Sequence, residues 1–187
     1  GNAKRAFDSM RQADYQEEML TERARIKVEE VALALRPTSR MDPADAAAHV
    51  NKHQVEMLDA ARAHADLVQW RAFTAAIEAI EDEGSRAVLT DVRDLFGLTL
   101  IEDDLAWYLL NGLISTQRGR QISSDLHRLL WRLRPHALDL VEAFDIRPGH
   151  VRAPIALGAE EERQREAAAH FRAQRASSSA PISEKAL

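Results

Sequence analysis

No cysteine occurs in the 187-residue sequence, which excludes disulfide bonds, thiolate nucleophiles and cysteine-ligated zinc. Glycine is scarce, with 7 residues, while alanine, leucine, arginine and glutamate are abundant, a composition that favours helix. No apolar run reaches the roughly 18 residues that span a bilayer, and the first residues do not form a signal peptide. The net charge of −5 is unlike the basic charge of nucleic-acid-binding domains. We therefore expect a soluble, intracellular protein with no membrane span and no nucleic-acid partner.

Helical periodicity accounts for nearly the whole chain, and no alternating strand pattern of useful length is present. Four long helices are predicted, from 7 to 35, 43 to 81, 85 to 110 and 115 to 144, followed by a surface helix from 159 to 175. Long helices with short connections favour an antiparallel bundle, so the predicted fold class is all-α. Residues 1–176 are predicted to form this single helical domain. The serine-rich residues 177–187 have little to bury and are predicted to be a disordered tail.

The clearest helix boundaries lie between residues 107 and 144. Asn111-Gly112 predicts a helix end, because both residues tolerate the left-handed backbone conformation. Ser115 then occupies the N-cap position of the next helix, where its hydroxyl can accept from a backbone N–H. Arg134-Pro135 interrupts that helix, since proline lacks the N–H donor and restricts the residue before it. Pro135 is predicted to be the first residue of a short helix that follows.

The helix predicted from 43 to 81 is apolar on two sides. One stripe contains Met57, Ala61, Ala65, Val68, Ala72, Ala76 and Ile80, and the other contains Trp70, Phe73 and Ile77. Such a helix is usually central in a bundle or faces a second subunit. The predicted inward side of the first helix contains Met19, Ala24, Val28, Val31 and Leu35. The short helix after Pro135 is predicted to carry Leu138, Val141 and Phe144 on one side.

Few residues form a pattern typical of catalysis or of metal binding. His49 and His53 have the i, i+4 spacing of two metal ligands, but no third ligand is evident, and two histidines on a helix rim is the preferred interpretation. His64 is interpreted as a buried polar anchor between helices. The acidic triplets at 81–83 and 102–104 are interpreted as solvated helix faces or helix ends, because consecutive helical residues point in different directions. We assign no catalytic residue and no metal ligand.

The best candidate for binding is the segment Gln117-Arg118-Gly119-Arg120. Two guanidinium groups near a helix N-terminus suit a phosphate, a carboxylate or an acidic side chain of a partner. The segment lacks the glycine and lysine pattern of a phosphate-binding loop. Pairing of Arg118 and Arg120 with carboxylates on a neighbouring helix is the competing structural interpretation. Gln117, Arg118 and Arg120 are therefore weak candidates for a binding site.

Several segments resemble one known family. ARAHADLVQWRAF at 61–73, DVRDLFGLTLIEDDLAWYLLNGLIS at 91–115, LRPHALDLVEAFDI at 133–146 and RAPIAL at 152–157 are similar to the C-terminal helical domain of the acyl-CoA oxidase and acyl-CoA dehydrogenase superfamily. The likeness is greatest to its long, oxidase-like bacterial members. DYQEEML at 14–20 and DPADAA at 42–47 fit the same region, so the resemblance runs from about 14 to 175.

The resemblance implies a parent flavoprotein that oxidises a fatty acyl-CoA to the trans-2-enoyl-CoA. In that family FAD accepts a hydride from Cβ and a glutamate removes the proton from Cα. No residue of this chain matches the motif of that glutamate, so no catalytic residue is carried over and no FAD is expected on this chain alone. The implied partners are the missing N-terminal flavin and acyl-CoA domains and a second copy in a homodimer. The chain ends in Glu-Lys-Ala-Leu instead of a Ser-Lys-Leu-type address, so the cytoplasm is the expected location.

Two hypotheses follow. The first is a structural and dimerisation domain at the C-terminal end of an FAD-dependent acyl-CoA oxidase or dehydrogenase, without activity of its own. The second is a stand-alone helical interaction protein that binds an acidic or CoA-type ligand through Arg118 and Arg120.

Overall fold

The computed structural model describes residues 9–147, 150–151 and 153–178. The described residues contain helices and turns but no strand, which confirms the predicted all-α class. The chain divides into two compact units on either side of the bond between Ala137 and Leu138. The α-helices are α1 (Ala13–Leu35), α2 (Pro43–Lys52), α3 (Gln54–Glu78), α4 (Glu83–Asp103), α5 (Leu105–Leu110), α6 (Thr116–Leu133), α7 (Ala137–Glu142) and α8 (Glu160–Ser178).

The first unit is an antiparallel bundle of four long helices, α1, α3, α4 and α6. Arg23 of α1 binds Asp66 of α3, and Glu17, earlier in α1, binds Arg71, later in α3, so the two helices run in opposite directions. The same reversal joins α4 to α6, through Asp91 with Arg132 and Glu102 with Ser123. The predicted bundle is therefore confirmed.

Asp42, Ser115 and Gly112 cap helix ends, and the caps at Ser115 and Gly112 are where they were predicted. The Asp42 carboxylate accepts from the backbone N–H groups of Ala44 and Asp45, at the start of α2. The Ser115 hydroxyl accepts from the N–H of Arg118 at the start of α6. Gly112 has a φ of 65°, the left-handed conformation that Asn111-Gly112 predicts.

Two of the predicted long helices are interrupted. The helix predicted from 43 to 81 is broken at His53, which has φ −105° and ψ 18° and separates α2 from α3. The helix predicted from 85 to 110 is broken in the same way at Asp104, between α4 and α5. Neither break contains proline or glycine, so the local sequence did not indicate that a helix ends at His53 or at Asp104.

The core of the first unit is formed where α1, α3, α4 and α6 meet. Its largest fully buried apolar side chains are Trp70, Tyr15, Tyr108, Leu20, Leu98, Ile101, Ile122 and Leu129. Met19 and Ala24 are buried as predicted, but Val28 is exposed. The predicted inward side of α1 is thus wrong at Val28, whereas Val31 and Leu35 are partly buried; the fully buried residues of α1 all lie in its first half.

The structure shows which side of α3 faces the core. Ala60, Ala63, Leu67, Trp70 and Ile77 are buried. The other predicted stripe is largely exposed, including Ala61, Ala65, Val68, Ala72 and Ala76. His64 is exposed as well, so its interpretation as a buried anchor is wrong: it lies beside the exposed stripe and not toward α1 or α4.

The chain after α6 differs in detail from the prediction. Arg134–His136 form a 3-10 turn, and α7 begins at Ala137 instead of at Pro135. In the second unit the side chains of Leu138, Val141 and Phe144 are each exposed, so α7 does not bury them there. Arg152 lies outside the described residues, and Pro154–Leu157 form a 3-10 turn. α8 ends at Ser178, and the rest of the predicted tail lies outside the described residues.

Candidate functional site

A buried polar contact joins three helices at Gly97. Gln16 of α1 is fully buried, and its amide oxygen accepts from the indole N–H of Trp70 across 3.0 Å. Its amide nitrogen donates to the backbone oxygens of Asp94, at 3.2 Å, and Met10, at 3.3 Å. Both ends of the Gln16 amide are therefore satisfied inside the fold, as a buried amide requires.

Gly97 leaves the space for this contact. A Cβ atom on residue 97 would overlap the amide of Gln16 and lie 2.7 Å from the indole nitrogen of Trp70. Gly97, although glycine weakens a helix interior, is thus the residue that allows α1 and α3 to approach α4.

An ionic cluster continues from this contact along α4. Asp94 is buried, and its two carboxylate oxygens accept from Arg93, at 2.7 and 3.1 Å, and from Arg11, at 3.0 Å. Arg11 also donates to Asp91 at 2.6 Å, and Asp91 binds Arg132 of α6 at 2.8 Å. The cluster ties the start of α1 to both α4 and α6. Burial raises the pKa of Asp94, and the two arginines beside it oppose that rise.

A second ionic cluster lies further along the bundle. Arg23 is 3% exposed and donates to Asp66 at 2.5 Å, to Asp104 at 3.1 Å and to the backbone oxygen of Leu100 at 3.2 Å. Lys27 approaches Asp104 to 3.4 Å. One guanidinium therefore links α1 to α3 and to the break between α4 and α5. Asp104 belongs to the acidic triplet at 102–104, for which a solvated helix face or helix end was predicted. Its ion pair with Arg23 was not predicted, because Arg23 is 81 residues away in the sequence.

Two buried tyrosines complete the interior. The Tyr108 hydroxyl donates to the backbone oxygen of Met19 at 3.0 Å, and burial raises the pKa of Tyr108. Burial likewise raises the pKa of Tyr15, while the charge of Arg118 opposes that rise. The Arg118 guanidinium lies 5.5 Å from the centre of the Tyr15 ring.

The structure does not bring the predicted binding residues together. Arg118 is half-buried against Tyr15, whereas Gln117 and Arg120 are exposed. Arg118 and Arg120 are two residues apart on α6 and therefore point in different directions. Binding of an acidic ligand through Gln117, Arg118 and Arg120 stays a prediction.

His49 and His53 lie with their ring centres 4.8 Å apart. Nε2 of His49 lies 2.9 Å from the backbone oxygen of Ala34, which links α2 to the end of α1. Across the part of the chain that the structure describes, no group of three or more histidine, cysteine, aspartate or glutamate side chains is placed to hold a metal ion.

Two clefts lie beside α1 and α3. One has a volume of about 350 Å³ and is lined by residues that include Lys27, Trp107 and the carboxylates of Glu30, Glu56 and Asp59. The other has a volume of about 300 Å³, and its charged side chains are Arg23, Lys27, Arg62, Asp59, Asp66, Asp103 and Asp104. In both clefts carboxylates outnumber cations.

These clefts do not fit FAD. The pyrophosphate of a dinucleotide needs cationic or backbone N–H donors, and a surplus of carboxylates repels it. A third depression, of about 830 Å³, is lined by the end of α1 and the turn Arg36–Arg40, with Arg36 and Arg40 as its charged side chains. No helix within the described residues is long and apolar enough to cross a membrane.

The sequence and the fold both match known proteins. The family model of acyl-CoA oxidase matches residues 13–157. Peroxisomal acyl-coenzyme A oxidase 1 of Phascolarctos cinereus is 30% identical over 95 residues, which make up 51% of this chain and 14% of that protein. Acyl-coenzyme A oxidase acox-1.3 of Caenorhabditis elegans is 36% identical over 106 residues, 56% of this chain and 16% of that protein. The chain thus spans about a sixth or less of the length of these relatives.

A solved structure has the same fold. The crystal structure of acyl-CoA oxidase3 from Yarrowia lipolytica superposes with a TM-score of 0.66 at 18% identity, over 79% of this chain and 21% of that chain.

Proposed function

Because the chain belongs to the acyl-CoA oxidase family, we propose that it is the C-terminal helical domain of an FAD-dependent enzyme that oxidises a fatty acyl-CoA to the trans-2-enoyl-CoA in fatty-acid β-oxidation. The observation that carries the proposal is the family match over residues 13–157, which includes the whole four-helix bundle. FAD and the acyl-CoA bind, in this proposal, to the domains that precede the helical one.

Within that enzyme the helical domain supports structure and assembly. The arginine and aspartate side chains buried in the first unit, such as Arg23 and Asp94, bind one another or backbone oxygens, a pattern that favours a structural role. Large apolar side chains on both units are exposed, among them Trp131 at 68% and Phe144 at 77%. Exposed apolar surface of this kind is typical of protein that contacts a partner. The partners we propose are the flavin-bearing domains and a second copy, and the location we propose is the cytoplasm.

The proposal is tested on the full-length product of the gene that encodes this chain. We expect a longer protein with the absorption bands of a flavin, which are bleached when a fatty acyl-CoA is added without oxygen. In air the same mixture should form hydrogen peroxide, since an oxidase returns the two electrons to oxygen. A colourless product that does not consume acyl-CoA would contradict the proposal.

The 187-residue chain provides the matched control. We expect the isolated chain to be colourless, to gain no flavin when it is incubated with FAD, and to leave acyl-CoA unchanged. A yellow isolated chain would overturn the assignment of the flavin site to other domains.

A further inference from the structure

The turn between α5 and α6 contains an asparagine that is followed by a glycine, Asn111-Gly112. The other asparagines of the sequence, Asn2 and Asn51, are followed by alanine and lysine, so Asn111 alone precedes a glycine. Both Asn111 and Gly112 are exposed. Glycine has no side chain that shields its backbone nitrogen, so this nitrogen can approach the side-chain amide of the residue before it. That approach is the first step in the deamidation of an asparagine.

Deamidation needs only these two residues and water. The backbone nitrogen of Gly112 loses its proton and forms a bond to Cγ of Asn111, and Nδ2 of Asn111 leaves as ammonia with that proton. Water then opens the resulting succinimide ring at one of its carbonyl groups. Opening at one carbonyl gives aspartate, and opening at the other gives isoaspartate, whose main chain runs through Cβ. No group is oxidised or reduced.

The attacking nitrogen is held by the closed turn. The Gly112 N–H donates to the backbone oxygen of Leu109 at 3.1 Å. The Leu113 N–H donates to the backbone oxygen of Tyr108 at 3.0 Å. With Gly112 at a φ of 65°, these are the two hydrogen bonds of a Schellman motif at the end of α5. The nitrogen of Gly112 therefore faces a carbonyl oxygen, and not the side chain of Asn111, while the turn is closed.

The side chain of Asn111 is held as well. Its Nδ2 atom donates to the backbone oxygen of Trp107 at 3.0 Å, one helical turn back along α5. The backbone of Asn111 has φ −82° and ψ 2°. Ring closure requires a rotation of ψ that brings the Gly112 nitrogen beside Cγ, and this rotation breaks the hydrogen bonds of the Schellman motif. The reaction therefore requires that the turn opens first.

We propose that Asn111 is a site of spontaneous deamidation and that opening of the α5–α6 turn controls the rate. Folded proteins open locally, and the free energy of opening depends on the contacts that hold the segment. In this turn the contacts are the Schellman hydrogen bonds and the side chain of Leu113, which packs against the core of the first unit. The modification needs no partner or cofactor, and it goes beyond the function proposed above.

The products of the reaction weaken the turn in which they form. Isoaspartate adds a methylene group to the main chain where the Schellman motif closes, so its two hydrogen bonds no longer match. Both products also place a carboxylate at the C-terminal end of α5, where the helix macrodipole disfavours negative charge. Tyr108, in the last turn of α5, donates to the backbone oxygen of Met19 in the core. We therefore expect the modified chain to unfold at a lower urea concentration.

Ageing of the 187-residue chain at mildly alkaline pH tests the site. Peptide mapping by mass spectrometry should find Asn111 converted to aspartate and isoaspartate well before Asn51, which is also exposed but lies inside α2. Conversion of Asn111 should be faster in urea that unfolds the chain. Asn111→Gln should remove the acidic species that ion-exchange chromatography separates, because glutamine closes the corresponding larger ring less readily.

Amide hydrogen exchange measures the opening of the turn independently. Exchange of the Gly112 amide and deamidation of Asn111 require the same opening, so folding should slow both reactions by a similar factor. Leu113→Ala removes the side chain that packs on the core, so it should raise both rates in the folded chain and leave the rate of deamidation in urea unchanged. Leu110→Ala is the matched control: Leu110 adjoins the same turn but is 88% exposed, so both rates should stay those of the wild type.

Three results would overturn the inference: conversion of Asn111 that is no faster than that of Asn51 in urea, equal rates of conversion in the folded and unfolded chain, or a Leu113→Ala chain that exchanges the Gly112 amide faster without deamidating faster. If Leu113→Ala does not fold, the wild type in urea below its unfolding transition provides the comparison, and both rates should rise together. None of these outcomes depends on flavin or on acyl-CoA.

Discussion

The side chains of Gln16 and Trp70 meet in the space that Gly97 leaves open, with 3.0 Å between the amide oxygen and the indole nitrogen. The contact joins α1 to α3 against α4, and both of its side chains are almost fully buried. Its geometry depends on the absence of a Cβ atom at residue 97. Three of the four helices of the bundle are thus positioned by a hydrogen bond and by the absence of a side chain at Gly97.

Gly97→Ala should destabilise the chain. Helix propensity alone favours alanine over glycine in a helix interior by about 1 kcal/mol. The new methyl group would overlap the Gln16 amide and the Trp70 indole, and overpacking of this kind costs about 1–3 kcal/mol in addition to the broken hydrogen bond. We expect a lower free energy of unfolding in urea.

Gly84→Ala is the matched control for that experiment. Gly84 also lies in α4, but a Cβ atom there would only reach ordinary contact with the Asp82 carboxylate, at 3.4 Å. We expect its free energy of unfolding to be equal to or slightly above that of the wild type. If Gly84→Ala and Gly97→Ala raised the free energy of unfolding by the same amount, the tight contact at residue 97 would be contradicted.

Arg23→Met should destabilise the chain more than any exposed arginine does. The substitution keeps much of the apolar stem but leaves the carboxylates of Asp66 and Asp104 without the guanidinium that links them. Breaking a buried ion pair by removing one partner typically costs about 3–5 kcal/mol, and the partial exposure of Asp104 places our expectation at the lower end. Urea unfolding measures the change.

Arg25→Met is the control for Arg23→Met. Arg25 also forms two ion pairs, with Glu22 and Glu29, but all three side chains are largely or partly exposed on one face of α1. Exposed pairs within a helix contribute little to stability, so the urea midpoint should hardly change. Similar losses from both variants would mean that the burial of Arg23 has no energetic consequence.

The sequence predicts interactions between residues that are close in the chain, but not those between residues that only the fold brings together. Asp42, Ser115 and Gly112 act on neighbours within three residues of the chain, so their capping roles were predictable from local sequence. Arg23 binds residues that are 43 and 81 positions away, and only the packing of the bundle brings them together. The i, i+3 spacing of Asp91 and Asp94, three residues before Gly97, was the one local sign of a polar inner face on α4.

The orientation of α3 was undetermined for a related reason. Its two apolar stripes were both visible from the period of the sequence, but burial of an alanine removes little apolar area from water, so an alanine-rich stripe is only a weak signal of burial. The position of Trp70 decides the question, since its side chain fills the centre of the bundle. Arg118 and Arg120 lie on different sides of α6, because residues two positions apart on a helix point in different directions.

Asp94 should make the chain more stable as the pH falls through its titration. Burial raises the pKa of Asp94 in the folded chain above the ordinary 3.8, so the folded state binds the proton before the unfolded state does. Between the raised pKa and 3.8, the free energy of unfolding gains from protonation as the pH decreases. As the pH falls across that window, the free energy of unfolding of the wild type should therefore increase relative to that of Asp94→Asn. Urea unfolding at a series of pH values measures this difference.

The carboxyl carbon of Asp94 gives a direct check by nuclear magnetic resonance. We expect its titration midpoint in the folded chain to lie above 3.8. A midpoint at or below that value would mean that Arg11 and Arg93 outweigh the effect of burial.

Asp82 should have the opposite dependence on pH. Its carboxylate accepts from the backbone N–H of Ser85 at 2.6 Å, which lowers the pKa of Asp82 below the ordinary 3.8. The stabilisation by this cap is complete above 3.8 and is lost as the pH falls through the lowered pKa of the folded chain. The melting temperature of Asp82→Ala should therefore lie below that of the wild type at neutral pH, and the difference should shrink in acid. Asp82→Asn keeps an acceptor oxygen without the charge, so its smaller deficit should be nearly independent of pH. A deficit of Asp82→Ala that persists unchanged in acid would show that the carboxylate charge contributes nothing to the start of α4.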